Sequence, residues 1–337
     1  MNGTEHRVLA ASRRRPTALG SEVEFHALDA RDATTLAAFA AESRVVVDAS
    51  GLDDHGQIAR TVLGAGCHLI DLSADTDHLT ALRHLEAEAR AAQRTVVTEA
   101  GLAPGLTNLL AAAAHAQAPA MGFLDLDLVL GLGEQHGPSA TRWMLDQLAA
   151  PPRHPARHAS LPAGFGHRTL HWVDFAEQHT LARDLGVDVV SRIALDPPQL
   201  GALTVRAARL HGLRPALLAS ANTAPALTRR DWWLAAATTS DGTRAWASGR
   251  RQNAATAVVA AWVVSRLTHT EPPPGVHALH HLTDLAALAP WLFLHGIATA
   301  LDCATKPGMP GRWTRPRRTP DTGPSPATET TRNQALR

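Results

Sequence analysis

Over its first third the chain alternates short apolar runs with helical patterns, and few folds accept that alternation. The runs are Arg7 to Ala11, Val23 to Leu28, Val45 to Ala49, Cys67 to Leu72 and Val96-Val97. Between them lie helical stretches: one capped by Asp32 and running to about Glu42, one from Gln57 to Leu63, and one from Leu79 to Ala92. Strand, helix, strand in repetition predicts a parallel sheet with crossover helices on its faces. Val45 to Ala49 reads as a strand buried on both faces, whereas Val23 to Leu28 alternates with period two. Gly101-Leu102-Ala103-Pro104-Gly105 then opens a helix over Thr107 to Ala114.

The texture changes after Pro119. Phe123 to Leu130 alternates apolar and polar residues, which predicts a half-exposed strand, and a helix follows over Ser139 to Leu148. Residues 151–166, rich in Pro, His and Gly, read as a loop. Strand patterns recur at Thr169 to Phe175 and Val187 to Ile193. Trp232 to Thr239 and Thr243 to Ala247 flank Asp241-Gly242, a strong hairpin signal. Together these predict an α+β region with an antiparallel sheet. A long helix over Asn253 to Leu267 follows, then a helical stretch over Leu282 to Leu301 around Pro290. The expected organisation is a first domain over 1–120, a substrate and dimerisation domain over 121–250, returning helices over 251–303 and a disordered tail over 304–337.

Charge and composition close off several classes of function. The formal net charge of +1 recommends neither a nucleic-acid nor a membrane partner, despite the basic run Arg13 to Arg15. Two cysteines cannot build a disulfide framework, and no stretch reaches the roughly 20 apolar residues of a spanning helix. Met1 to Arg15 lacks the apolar segment of a secretory signal, so the expected location is the cytoplasm. Nineteen histidines raise the question of a metal, but no His-Glu-x-x-His or comparable compact ligand motif occurs, and none is expected.

Ligands of open parallel sheets lie at the carboxyl ends of the strands, which selects the candidate residues. Ser12, Arg13 and Arg14 follow the earliest strand, where arginines suit a 2′-phosphate; a solvated basic turn is the other reading. Asp29 ends the next strand as an adenine contact or as a turn residue before a helix. Ala49, Ser50 and Gly51 offer the small side chains that let a dinucleotide approach the backbone. Asp71 and Ser73 end a further strand, and Glu99 precedes the glycine-proline loop. In the second region Glu134 and His136 suit acid–base work near neutrality, or are turn residues capping the next helix. Arg142 is a clamp for a substrate carboxylate or a surface arginine.

Three segments carry a family likeness. Val46-Val47-Asp48-Ala49-Ser50-Gly51, then Ala65-Gly66-Cys67-His68-Leu69-Ile70-Asp71-Leu72-Ser73, then Gly101 to Asn108 resemble, in order and spacing, the saccharopine dehydrogenases and their reductase relatives. Leu52-Asp53-Asp54 departs from the family's usual continuation. Toward the end, Ala254 to Ala257, Pro274-Gly275-Val276 and Leu294 to Ile297 are similar to the family's closing segment. The resemblance implies a Rossmann-type NADP-binding half joined to an α+β half, with NADP preferred over NAD. It also implies an NAD(P)-dependent oxidoreductase acting on a small polar substrate such as an amino acid or imine. Gly101 and Pro104 would then lie against the cofactor, Asn108 and Ser73 toward the substrate, and Asp71 would join Glu134 and His136 as catalytic groups. A homodimer is the expected assembly. Such a half should open with a strand and Gly-x-Gly-x-x-Gly, about 25 to 30 residues that this sequence lacks. An upstream start is the favoured explanation, and true shortening the other. In the second case the chain would be a catalytically degenerate relative that binds a ligand or partner without turnover.

Overall fold

The computed structural model describes residues 7–17, 19–52, 54–119, 122–134, 137–220 and 228–303. His136 and the tail from 304 lie outside them. The chain first runs β1 (Leu9–Ser12), β2 (Glu24–Ala27), α1 (Ala33–Ala41), β3 (Val45–Asp48), α2 (Gln57–Gly64), β4 (His68–Asp71), α3 (Thr76–Arg83), α4 (Glu86–Ala91), β5 (Thr95–Thr98) and α5 (Leu106–Gln117). It continues with β6 (Phe123–Gly131), α6 (Pro138–Ala149), β7 (Arg157–Leu161), β8 (Gly166–Trp172), α7 (Ala176–Leu185), β9 (Asp188–Asp196), α8 (Pro198–Ala208) and α9 (Arg214–Ser220). Last come β10 (Trp232–Thr239), β11 (Arg244–Arg250), α10 (Gln252–His269), β12 (Gly275–Ala278), α11 (Leu279–Leu282), α12 (Leu285–Leu294) and β13 (Ala298–Asp302).

The predicted parallel strands form as read. β3, β4 and β5 run parallel, and β12 from the returning chain adds itself outside β5, giving the order β12-β5-β4-β3. Every residue of β4 and β5 is buried, because helices cover both faces. Successive side chains point to opposite faces. Thus Leu69 and Val96 join a cluster with α2, α3 and α4, while Ile70 and Val97 join the larger core with α5. β1 and β2 pair parallel in a separate two-stranded sheet. Among the described residues, β1 and β3 each carry a paired strand on one side only.

A second sheet of seven strands follows the order β13-β11-β10-β6-β9-β8-β7. It is mixed: β6 and β9 run parallel, and the other neighbours run antiparallel. α5 is buried over most of its surface because it packs against both the parallel sheet and β10 and β11, so one core serves the two sheets.

Three local readings need correction. Residues 157–161 are a strand rather than loop: Arg157, Ala159 and Leu161 turn inward, and the hairpin closes through Gly164 and Gly166, both at positive φ. The helical stretch expected to Leu301 stops at Leu294, where Gly296 adopts the left-handed conformation that ends helices. Residues 298–302 then pair with β11 as β13. The sheet of the second region is mixed rather than purely antiparallel, because α7 carries the chain back to lay β9 parallel to β6.

Candidate functional site

At the carboxyl end of β3, Asp48 accepts a hydrogen bond from Ser50 N (2.8 Å). Burial pushes its pKa up, and the nearby Asp71 carboxylate adds to the shift. Ala49 and Ser50 are exposed, and Gly51 turns the chain at a φ of 61°. One strand over, Asp71 is buried; its Oδ1 accepts from Ser73 N (2.9 Å) and its Oδ2 from His78 Nε2 (3.0 Å). The other ring nitrogen of His78 lies 3.7 Å from Asp54. Asp54 also accepts from Gly56 N and Ile58 N at the start of α2. Burial opposes the charge on His78, but the Asp71 hydrogen bond and the charges of Asp71, Asp54 and Asp48 outweigh it and raise its pKa. His78 therefore ties the loops after β3 and β4 together, and the carboxylates around it favour its charged form. Sequence reasoning passed over it, because a histidine in a polar first helical turn reads as solvated. The signal was Asp71 at a strand end followed by a histidine in the next helix.

The end of β5 is built differently. Glu99 is buried at a φ of 55°, with Asn108 and Thr180 against its carboxyl group. Glu177, in the first turn of α7, is buried close by and faces Thr107. Burial raises Glu99 to about 7, and burial together with the Glu99 charge raises Glu177 to about 8. Beyond Glu99 the chain folds on itself: Gly101 N donates to Pro104 O (2.9 Å) and Leu106 N to Gly101 O (2.9 Å). A Cβ on Gly105 would fall 2.2 Å from Gly101 O, so only glycine fits there. Asn108 Oδ1 accepts from Gly105 N (2.9 Å), which places Asn108 beneath the loop, fully buried.

The first turn of α10 joins this loop to the second sheet. Thr256 Oγ1 accepts from Leu102 N (3.3 Å). The Glu134 carboxylate accepts from Asn253 N (3.2 Å), and Gln252 Nε2 donates to Gly131 O (3.4 Å). Gly131 and Gly133 lie so close to the Arg230 backbone that a Cβ on either would clash within 2.3 Å. α10 also packs against β3 and β4. Asp71, Ser73, Gly101, Pro104 and Glu134 thus belong to one wall of strand ends and loops gathered around α10. Arg142 is exposed on α6. Ser12 ends β1, Arg13 and Arg14 follow it, and Asp29 lies just beyond β2. There Ser12 Oγ donates to Arg14 O (2.7 Å), both guanidinium groups are exposed, and Asp29 accepts from Arg31 N (3.1 Å) in the turn before α1.

The family model described as saccharopine dehydrogenase NADP binding domain matches residues 4–97. Those residues belong to that family. The whole fold is similar to apo saccharopine dehydrogenase (L-Glu forming) from Saccharomyces cerevisiae. That likeness has a TM-score of 0.57 at 12% identity and covers 89% of this chain and 95% of that one. A putative oxidoreductase from Klebsiella pneumoniae matches at a TM-score of 0.27 and 17% identity, over 55% of this chain and 53% of that one. The WlbA dehydrogenase of Thermus thermophilus, solved with NAD and UDP-GlcNAcA, matches at 0.36 and 16%, over 77% and 80%. The segment matched by that family model thus comprises β1 to β5, and the fold likeness continues through the seven-stranded sheet. Its residues fit two ends of a nicotinamide dinucleotide: exposed arginines after β1, and small residues at the ends of β3 and β5. A glycine-rich turn opening a helix, to cradle the pyrophosphate, has no counterpart among the described residues. No described helix is long and apolar enough to cross a membrane.

Proposed function

We propose that this chain is an NADP-dependent oxidoreductase acting at a carbon–nitrogen bond of a small polar substrate, an amino acid or imine. The observation that carries the reading is the meeting of the NADP-binding segment's strand ends with the Gly131–Glu134 loop through the first turn of α10. That junction carries a half-buried carboxylate, Glu134, whose hydrogen bond to Asn253 N lies at the surface. In this reading Arg13 and Arg14 grip the 2′-phosphate, with Ser12 and Asp29 beside the adenosine. Ala49, Ser50, Gly51, Gly101 and Pro104 lie along the dinucleotide. Ser73, Asn108 and Arg142 serve the substrate. The bound dinucleotide supplies or accepts the hydride. Glu134 and His136 manage the proton, and Asp71 holds the neighbouring loops through His78. The working form is a cytoplasmic homodimer.

The test is titration of the purified chain with NADPH and NADH while following tryptophan fluorescence. Saturable quenching by NADPH is expected, and a doubly substituted Arg13→Ala/Arg14→Ala chain should bind NADPH roughly 10- to 100-fold more weakly while NADH binding stays unchanged. Absence of saturable binding by either nucleotide overturns the reading. Equal binding of the two, indifferent to the arginine changes, overturns the preference for NADP.

A further inference from the structure

Outside the cofactor cleft, three ligand-type side chains from distant parts of the chain converge. Asp184 sits in the last turn of α7, and His280 and His281 are consecutive residues of the four-residue helix α11. Nε2 of His280 lies 3.2 Å from Asp184 Oδ2, and Nε2 of His281 lies 2.7 Å from the same oxygen. All three donor atoms fall within 4.8 Å of one another. Neighbouring residues on a helix diverge by roughly 100°, so convergence of both rings on one atom is a specific arrangement and not a by-product of adjacency. The two rings meet at a tilt of 56° with centroids 4.3 Å apart.

We propose that Asp184, His280 and His281 bind one divalent transition-metal ion, zinc being the best match to two imidazoles and a carboxylate. Bonds of about 2 Å to a tetrahedral ion set neighbouring ligand atoms about 3.3 Å apart, so the 3.2 Å separation matches and the 2.7 Å one would open slightly on binding. Arg183 Nε holds the other carboxylate oxygen at 2.8 Å, which turns Oδ2 toward the histidines. His280 is the inner ligand, with 5% of its side chain exposed, while 39% of His281 faces solvent and leaves a route in and room for a water as fourth ligand. An ion here would tie α7 to the returning segment after β12. The Arg183 charge weakens the site, so micromolar affinity is expected. The proposal is independent of the cofactor reading.

The full chain, stripped with a chelator, would be titrated with Co²⁺ while following its visible d–d absorption, then challenged with Zn²⁺. Saturation at one equivalent, displacement by Zn²⁺ and a raised melting temperature are expected. His281→Ala, at an exposed position, and Asp184→Asn should each weaken Co²⁺ binding by roughly tenfold or more. His154→Ala, in the loop before β7, should leave it unchanged. Circular dichroism of each variant verifies that it folds. No d–d band on the folded wild-type chain, or a band that both folded site variants leave intact, would overturn the proposal and reduce the cluster to a hydrogen-bonded triad.

Discussion

The ends of β4 and β5 lie side by side in one sheet, yet they resolve the same electrostatic problem in opposite ways. At β4 the buried Asp71 has the His78 ring at 3.0 Å, and the carboxylates around that ring favour its charged form. At β5 the buried Glu99 and Glu177 form no ion pair among the described residues, and burial raises both into the neutral range. A proton there replaces the missing counter-charge, and because the two carboxyl groups are coupled it belongs to the pair rather than to either residue. The difference teaches that burial alone does not fix the state of a carboxyl group. A cation in contact keeps the charge, and without one the proton stays. The Asp71 clamp is therefore a rigid strut, whereas the glutamate pair is a protonation site beneath the Gly101–Gly105 loop.

The comparison breaks most easily at His78. His78→Ala leaves Asp71 buried without its partner, and loss of one member of a buried pair costs about 3–5 kcal/mol. Urea unfolding at pH 7 should register a drop of that size, with the loops after β3 and β4 losing amide protection first. A loss below about 1 kcal/mol would mean that the clamp carries no charge.

The glutamate pair should instead appear in the pH dependence. An acid with a raised folded-state pKa keeps its proton in the native chain and releases it in the unfolded chain above about 4.5. Stability therefore declines as pH rises from that value to about 7 and 8, by on the order of 1 kcal/mol per pH unit for each group. Glu177→Gln mimics the protonated form. It should flatten the decline between about pH 5 and 8 and leave the variant about 3 kcal/mol more stable than the wild type at pH 8. His78 also has a raised pKa, and its stabilisation is present below its unfolded value near 6.5 and lost as pH climbs through the folded one. The two windows overlap but begin about two units apart, so thermal melts across pH separate them. An unchanged slope in Glu177→Gln would mean that the pair is ionised in the folded chain.

The same contrast explains what could be read without coordinates. β4 and β5 were legible because doubly buried strands need uninterrupted apolar residues, as Leu69-Ile70 and Val96-Val97 show, and the half-exposed edge strand β3 was legible from Val45-Val46-Val47. The glycine-proline loop was legible because Gly105 has no sterically allowed substitute. Glu99 was singled out by its place before that loop but its burial was not legible, and Glu177 was not picked out at all, since an ionisable residue in a first helical turn has the local pattern of a solvated group. Only the packing of α7 across α5 buries them. The strand β7 was hidden by the prolines and glycines around it, and the register that pairs Arg157 with Asp127 depends on a contact 30 residues away. Glu134 carried two readings from the sequence. Its bond to Asn253 N caps α10, a helix far along the chain, rather than the helix that follows it.

The smallest effect falls on the second carboxylate of the clamp. Asp54 stands 3.7 Å from His78, farther than Asp71, and its oxygens also hold Gly56 N and Ile58 N. Asp54→Asn keeps one acceptor for those amides and removes a negative charge from the imidazolium. The expected loss of stability is about 1 kcal/mol, in the range of a lost helix cap. The His78 pKa should fall, because one of the charges that raise it is gone. Ring-proton chemical shifts of His78 followed through a pH titration read this directly, with Asp71→Asn expected to move it further than Asp54→Asn. If the two variants shift His78 equally, the clamp is a diffuse field of three carboxylates around one cation. In that case the contrast with the glutamate pair lies in the presence of the histidine and not in its bond to Asp71.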